Sequence, residues 1–320
     1  MSAAANPEQS LPAVQARLVI AVLTYKRPGD LAVALPRLLA QARSAPLPAQ
    51  VLVVDNDPDA GARTAVASLQ DPALVYAHEP RPGIAAARNR ALRQASAAAD
   101  LLAFIDDDEV PSGRWLRQLV ALQKDTGAAA VVGPVISEYE EQPDEWVAAG
   151  DFFRRRRLPT GSRLDVAATN NLLLDLHQIR SLGLAFDERF GLSGGSDTLF
   201  SRQLVQAGGV MVWCDEATVV DRVPVARLTR RWVLRRAFRS GNCHSRVLLA
   251  IAPTRAGRMA VRFRLLAPGA VRSAGGAARC ALGMLLRSQR HQAGGLRTAA
   301  RGAGILTGAF GYVFSEYKRS

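Results

Sequence analysis

Residues 101–109 read Leu-Leu-Ala-Phe-Ile-Asp-Asp-Asp-Glu. The apolar run 101–105 has the length and composition of a strand buried on both faces, as in parallel sheets covered by helices. Three adjacent carboxylates close it, Asp106, Asp107 and Asp108, with Glu109 next. They repel one another, and nothing in a fold requires them. One reading is a solvated acidic turn before Pro111. The other is a site for a hard divalent cation, Mg²⁺ or Mn²⁺, which prefers oxygen ligands and commonly shares them with phosphates.

Two earlier apolar runs end in similar chemistry. Residues 18–23 lead into Thr24-Tyr25-Lys26-Arg27-Pro28, and residues 51–54 into Asp55-Asn56-Asp57. In parallel sheets ligands bind outside the carboxyl ends of the strands. Tyr25, Asp55 and Asp106 each fall at such an end. The segment Glu79-Pro80-Arg81-Pro82-Gly83-Ile84-Ala85-Ala86-Ala87-Arg88-Asn89-Arg90 lies between them and the Asp triplet. Gly83 can open a helix whose first N–H groups suit a phosphate. Three alanines keep that helix slim, and Arg88 offers a planar donor fork. An ordinary capped helix gives the same pattern. With the Asp triplet it suggests a nucleotide-diphosphate site.

The coarse pattern alternates. Strands are expected at 18–23, 51–54, 74–77, 101–105 and 129–136, and helices at 28–42, 60–69, 83–98 and 112–123. This is a βαβ series with short connections, and therefore an α/β fold. Residues 138–165 read as a loop with a short helix. A strand at 170–174, helices at 175–182 and 194–207, and a strand at 210–214 follow. From Thr229 onward the pattern is helical and basic.

The series TYKRP, VVDND, EPRPGIAAARN, FIDDDE and GGSD runs in this order through residues 24–197, within a match that covers roughly residues 17–245. It resembles the inverting family 2 glycosyltransferases of the GT-A fold. The EPRPGIAAARN stretch is especially similar to bacterial exopolysaccharide enzymes of the succinoglycan type. The resemblance implies a Rossmann-like, mostly parallel central sheet with helices on both faces, plus a C-terminal helical region. It divides the chain into a flexible tail at 1–16, a catalytic domain at 17–225 and a basic amphipathic region at 226–320.

The resemblance also implies roles. The donor would be a nucleotide sugar, a UDP-sugar in the first instance, met by Thr24, Tyr25, Arg27, Asp55, Arg88 and Asp106. A divalent Mg²⁺ or Mn²⁺ would be held by Asp108 with Asp106. Asp107 and Glu109 are expected to turn outward or cap the next turn. Asp197 would be the general base, although a carboxylate there is equally a helix cap. Ser196 stands where relatives often carry an acid. Asp221 falls near the place of a further metal ligand, or pairs with Arg222. Arg235, Arg236 and Arg239 recur in a basic helix with Trp232 and Phe238. They contact the diphosphate or form a solvated basic face. The four arginines 154–157 read as an exposed loop, or as a contact to an acceptor's lipid diphosphate.

Charge is unevenly distributed. Residues 226–320 hold 19 Lys and Arg against one acid, Glu316, a net of +18, whereas residues 1–225 hold 22 basic and 27 acidic residues, a net of −5. A basic amphipathic tail suits an anionic membrane surface, and packing on the catalytic domain is the alternative. Residues 302–315 carry no charge but are too few to span a bilayer, which takes about 20 residues. The N-terminus lacks the pattern of a secretory signal. Three cysteines without metal-ligand spacing suit a reducing compartment. The expected place is therefore the cytoplasm, peripheral on the inner face of the plasma membrane, where a nucleotide-sugar donor and a glycan or lipid-linked acceptor meet. A nucleotide-sugar-binding protein without catalysis is one rival. A nucleic-acid-binding protein is another, but no recognition motif for nucleic acid is present.

Overall fold

A computed structural model describes residues 17–97 and 99–315. The expected N-terminal tail at 1–16 lies outside the described residues. The chain forms two compact units, and their division is not a single cut. The first comprises residues up to Ile136, Arg156–Gly191 and Phe200–Asp221. The second comprises Ser137–Arg155, Leu192–Leu199 and residues from Arg222 onward. The expected boundary at 225 is thus modified, because two earlier segments cluster with the C-terminal helices.

The first unit is built on a seven-stranded sheet. Its strands are β1 (Leu18–Thr24), β2 (Ala49–Asp55), β3 (Leu74–His78), β4 (Leu101–Asp106), β6 (Ala130–Val132), β8 (Asn171–Asp175) and β9 (Met211–Trp213). Short strands β5 (Glu109–Pro111), β7 (Val135–Tyr139) and β10 (Val219–Val223) form a second sheet. The large sheet runs β3-β2-β1-β4-β8-β6-β9. All neighbours are parallel except β8, which is antiparallel to both β4 and β6.

Side-chain alternation explains why β1 is apolar from Leu18 to Leu23. Leu18, Ile20 and Val22 face one core with Leu31, Leu35 and Leu38 of helix α1 (Pro28–Arg43). Val19 and Ala21 face the other core, with Ala85, Ala87 and Ala91 of helix α3 (Ile84–Ser96). A strand covered on both faces needs apolar residues at every position. Each such Val, Leu or Ile contributes about 1.5–3 kcal/mol on burial. Helix α1 begins with Pro28, whose fixed φ and missing N–H suit a first helical turn.

Two sequence expectations need correction. The single strand at 129–136 is two strands in different sheets. Gly133-Pro134 breaks it, since Pro134 has no N–H and a Cβ on Gly133 would lie 2.2 Å from the Ala217 carbonyl. The Asn171 amide packs there too, donating to the Pro134 and Ala217 carbonyls at 3.0 and 2.8 Å. The expected helix at 60–69 shrinks to α2 (Arg63–Ala67). Helices α4 (Trp115–Thr126), α6 (Leu176–Ser181) and α7 (Ser196–Gln206) fall close to the expected places.

The second unit contains α5 (Glu145–Gly150), α8 (Arg230–Ile251), α9 (Arg255–Leu285) and α10 (Gln289–Ala309). Trp146, Phe153, Val233 and Ala293 share one apolar cluster, which is why residues 137–155 join this unit. Glycines let α10 pack closely on its neighbours. A Cβ on Gly241 of α8 would lie 2.0 Å from the Arg301 carbonyl, and one on Gly276 of α9 would lie 2.4 Å from the Ala299 nitrogen. The helical, basic character expected after residue 229 is present. Among the described residues no helix is long and apolar enough to cross a membrane.

Candidate active site

Strand register gathers the expected polar exits at one edge of the first unit's sheet. Thr24 is the partner of Asp55, and Leu23 is the partner of Asp106. Beyond β4 the side chains keep alternating. Asp106 and Asp108 are partly accessible, whereas Asp107 and Glu109 are buried. The expectation that Asp107 and Glu109 turn outward is therefore overturned, because both find partners inside. Thr24 Oγ1 donates to Asp107 Oδ2 at 2.7 Å. Asn170 Nδ2 donates to Glu109 Oε1 at 2.7 Å, and the Asp106 N–H to Glu109 Oε2 at 3.4 Å.

Arg27 closes this group. Its Nη1 lies 3.0 Å from Asp108 Oδ2 and 3.5 Å from Asp107 Oδ1. Burial alone lowers the Arg27 pKa, but Asp107, Asp108 and Asp30 outweigh it and raise it. Burial pushes the Asp107 carboxyl up to about 7, opposed by the Thr24 hydrogen bond and Arg27 and reinforced by Asp108 and Asp106. Tyr25 is half-buried, with the Lys26 ammonium 5.7 Å from its ring centre. Asp221 is buried and sits opposite Glu109 in the β5–β10 pair.

Asp55 is fully buried and bonded within the protein. Its Oδ1 accepts from the Asp57 N–H at 3.0 Å, and its Oδ2 from the Ala62 N–H and the Tyr76 hydroxyl, both at 2.9 Å. Burial and the Asp55 carboxylate raise the Tyr76 pKa. Asn56, which sequence reasoning passed over, shapes the neighbouring loop. Its Nδ2 donates to the Glu79 and Arg81 carbonyls at 2.7 Å, and its Oδ1 accepts from the Gly83 N–H at 3.2 Å. Glu79 is also buried. Burial works to raise its pKa, yet the Arg81 hydrogen bonds and the charges of Arg81 and Arg93 hold it below the usual range.

Gly83 opens α3 as expected, but the amides that follow it differ from expectation. Gly83 has φ +114°, and a Cβ there would lie 3.1 Å from the Gly191 backbone, so only glycine fits. The Ile84 N–H donates to the Gly191 carbonyl at 3.2 Å, and the Ala86 and Ala87 N–H groups to the Gly83 carbonyl. The free amides expected to cradle a phosphate are therefore largely engaged, and Gly191 is what packs close to the slim helix. Arg88, half-buried, stacks 5.5 Å from the Phe186 ring centre.

Asp197 belongs to the second unit, in the first turn of α7. Gly194 and Gly195 precede it with φ of +76° and +96°. Its Oδ1 accepts from the Thr198 N–H at 2.7 Å. Cys243 of α8, which sequence reasoning did not single out, lies beside this loop, its Sγ 3.8 Å from the Gly194 carbonyl. Burial pushes the Cys243 thiol up to about 11. Asp197 adds to that shift, and Arg246 and Arg239 oppose it. Within this unit Asp197 and Arg239 therefore act on the same thiol. The other two candidate arginines lie beside aromatic rings. Arg235 lies 5.7 Å from the Phe314 ring, and Arg236 lies 5.3 Å from the Trp232 ring. Of the four arginines 154–157, Arg157 is tied to Asp215 at 2.6 Å, and Arg156 lies 5.9 Å from the Trp213 ring.

The family profile described as "Glycosyl transferase family 2" matches residues 19–175. The chain is 35% identical over 268 residues to the "Succinoglycan biosynthesis protein ExoM" of Rhizobium meliloti (strain 1021), covering 79% of this chain and 86% of that protein. It is 28% identical over 162 residues to "Glycosyltransferase AglE" of Haloferax volcanii, covering 50% of this chain and 52% of that protein. Among solved structures, a mannosyltransferase from Pyrobaculum calidifontis in complex with GDP-Man and Mn²⁺ superposes with a TM-score of 0.58 at 20% identity, covering 91% of this chain and 88% of that one. At that identity the likeness speaks for the fold, which is GT-A.

Proposed function

This chain belongs to glycosyltransferase family 2, and from that premise we propose that it moves a sugar from a nucleoside-diphosphate donor to a hydroxyl of a growing glycan, with inversion at the anomeric carbon. The observation that carries the reading is the alternation beyond β4. It leaves Asp106 and Asp108 accessible at the carboxyl edge of the sheet, with Arg27 beside them.

The chemistry of the carboxylates suits a divalent metal, although among the described residues no three His, Cys, Asp or Glu side chains are gathered as a metal site. The carboxylates are hard oxygen donors with a net negative charge, only partly offset by Arg27, and the crowding contributes to the raised Asp107 pKa. Asp108 and Asp106 would hold the ion, with Asp221, opposite Glu109 in the β5–β10 pair, a further candidate. When bound, the metal supplies charge stabilisation for the departing diphosphate. Tyr25 and Arg88 would contact the donor, while Thr24, buried and bonded to Asp107, and Asp55 support the site from within. Arg27 can exchange its bond to Asp108 for one to the donor phosphates.

In the transfer step the Asp197 carboxylate takes the proton of the acceptor hydroxyl. The hydroxyl oxygen attacks the anomeric carbon, and the bond from that carbon to the diphosphate oxygen breaks. One displacement inverts the centre, so an α-linked donor gives a β-glycoside.

The succinoglycan relative supports exopolysaccharide synthesis as the setting. A UDP-sugar is the first donor to try, with a glycan or lipid-linked acceptor. The net +18 of residues 226–320 supports attachment to an anionic membrane on its cytoplasmic face. The test is release of nucleoside diphosphate from a panel of nucleotide sugars with Mn²⁺, with and without lipid-linked glycan acceptors. No donor turned over by the wild type, or turnover undiminished in Asp197→Asn, would remove the reading.

A further inference from the structure

The second unit contains an open surface cavity of about 330 Å³ whose polar lining is five solvent-exposed arginines with Asp151 and Thr298. Arg272 and Arg279 come from α9, and Arg290, Arg297 and Arg301 from α10. The C-terminal end of α5 completes the wall with Ala149, Gly150 and Asp151. The spacing is helical. Arg272 and Arg279 are two turns apart on α9, as are Arg290 and Arg297 on α10, and Arg301 lies one turn further.

Three of the guanidinium groups are held in place. Arg297 donates to the Asp151 and Gly150 carbonyls at 3.3 and 3.5 Å, and lies 5.6 Å from the Phe152 ring centre. Arg279 lies against the bare backbone of Gly294, where a Cβ would come within 3.0 Å of its guanidinium. Arg272 donates to the Pro268 carbonyl at 3.4 Å. Among the described residues none of the five is ion-paired with a carboxylate. The one lining carboxylate, Asp151, lies 3.6 Å from Arg154 instead. Burial, together with Arg272 and Arg297, lowers the pKa of Arg301.

Five cations around one cavity repel each other, and protein packing does not require them there. Planar guanidinium forks match phosphate oxygens in pairs. We propose that this cavity is a second ligand site that binds a phosphate-bearing anion, a pyrophosphate or phosphomonoester group. The phosphate can come from a soluble anion or from a lipid headgroup. The proposal is independent of the transfer reading, since it uses none of the residues assigned to it.

The test is calorimetric titration of the full chain with inorganic pyrophosphate in EDTA, which removes metal-dependent binding at the donor site. The variant Arg279→Ala/Arg290→Ala should bind on the order of tenfold more weakly or worse. The control Arg258→Ala/Arg262→Ala removes the same charge from exposed positions of α9 outside the cavity and should bind like wild type. Sedimentation with phosphatidylcholine vesicles containing phosphatidic acid forms the second arm. A pyrophosphate response lost only in the cavity variant assigns a soluble anion. A vesicle response lost only in that variant, without a pyrophosphate response, assigns a lipid headgroup. Equal loss in both variants, loss in neither, or no binding of either probe by wild type overturns the proposal.

Discussion

Thr24 at the end of β1 and Asp107 beyond the end of β4 are joined by a 2.7 Å hydrogen bond, Oγ1 donating to a buried carboxylate. The parallel pairing of the two strands brings them together, with Leu23 opposite Asp106. This bond draws the middle carboxylate of the triplet inward, while Asp106 and Asp108 stay partly accessible. Thr24→Val keeps the shape but removes the donor, leaving Asp107 with a weaker set of partners. The expected cost is about 1–3 kcal/mol of stability. Urea unfolding of both proteins measures it, and an unchanged midpoint would show that the bond does not organise the triplet.

A metal at Asp108 would compete with Arg27, whose Nη1 lies 3.0 Å from the Asp108 Oδ2. Arg27→Ala is expected to bind Mn²⁺ more tightly in the absence of donor and to raise the KM for the nucleotide sugar. Asp108→Asn is expected to lose metal-dependent donor binding and nearly all turnover while its fold survives, since the side chain is partly solvated. Mn²⁺ titration with and without donor reads both variants. Wild-type activity of Asp108→Asn at low Mn²⁺ would mean that the ion is held elsewhere.

The main sheet was legible in the sequence because β1, β2 and β4 carry the unbroken apolar runs 18–23, 51–54 and 101–105, and only a two-sided burial explains those. Their polar exits were legible for the same reason. The inward turn of Asp107 was not, since its partner Thr24 lies 83 residues away. Glycine at 83 was read as a helix opener, but its contact with Gly191 comes from a distant segment. β5 and β10 are short, and the Asp221-Arg222 pair inside β10 hides its alternation. The joining of residues 137–155 to the C-terminal helices rests on an aromatic cluster around Trp146 and Phe153 that no local pattern announces.

Asp197→Asn should retain donor affinity and lose transfer. A general base typically contributes on the order of 10²–10⁴-fold. The amide keeps an oxygen to accept the Thr198 N–H, so the first turn of α7 should survive. Donor titration beside product formation separates the roles. Unfolding with loss of donor binding would assign Asp197 to helix capping.

The Cys243 thiol offers a reporter for Asp197 that does not depend on turnover. Burial first and Asp197 second push its pKa up to about 11, above the ordinary value of 9.0. Its stabilising contribution is therefore complete below about pH 9 and is lost as pH rises through about 11. Asp197→Asn removes a neighbouring negative charge and should lower that pKa. Alkylation of Cys243 by iodoacetamide at about pH 9 to 10 should then be faster in the variant, because the thiolate is the reactive form. Equal rates would place the Asp197 carboxylate outside electrostatic reach of the thiol.

Attachment to a membrane surface should combine charge with exposed apolar side chains on α9. Phe263 is 66% exposed, Val271 70% and Leu285 82%, which leaves large apolar groups in water. Burying each in the headgroup boundary is favourable by about 1.5–3 kcal/mol. The +18 of residues 226–320 adds attraction to anionic lipid, screened over about 8 Å at physiological ionic strength. The full chain should therefore bind anionic vesicles, release in high salt, and bind neutral vesicles weakly. Phe263→Ser/Leu285→Ser should bind less well with little change in thermal stability, because neither side chain is packed. These two substitutions test the apolar contribution, whereas the cavity variant tests phosphate recognition, so the two ideas can fail separately. Binding that is equal for neutral and anionic vesicles and indifferent to salt would sink the electrostatic part. Unchanged binding by the double variant would show that α9 does not enter the surface.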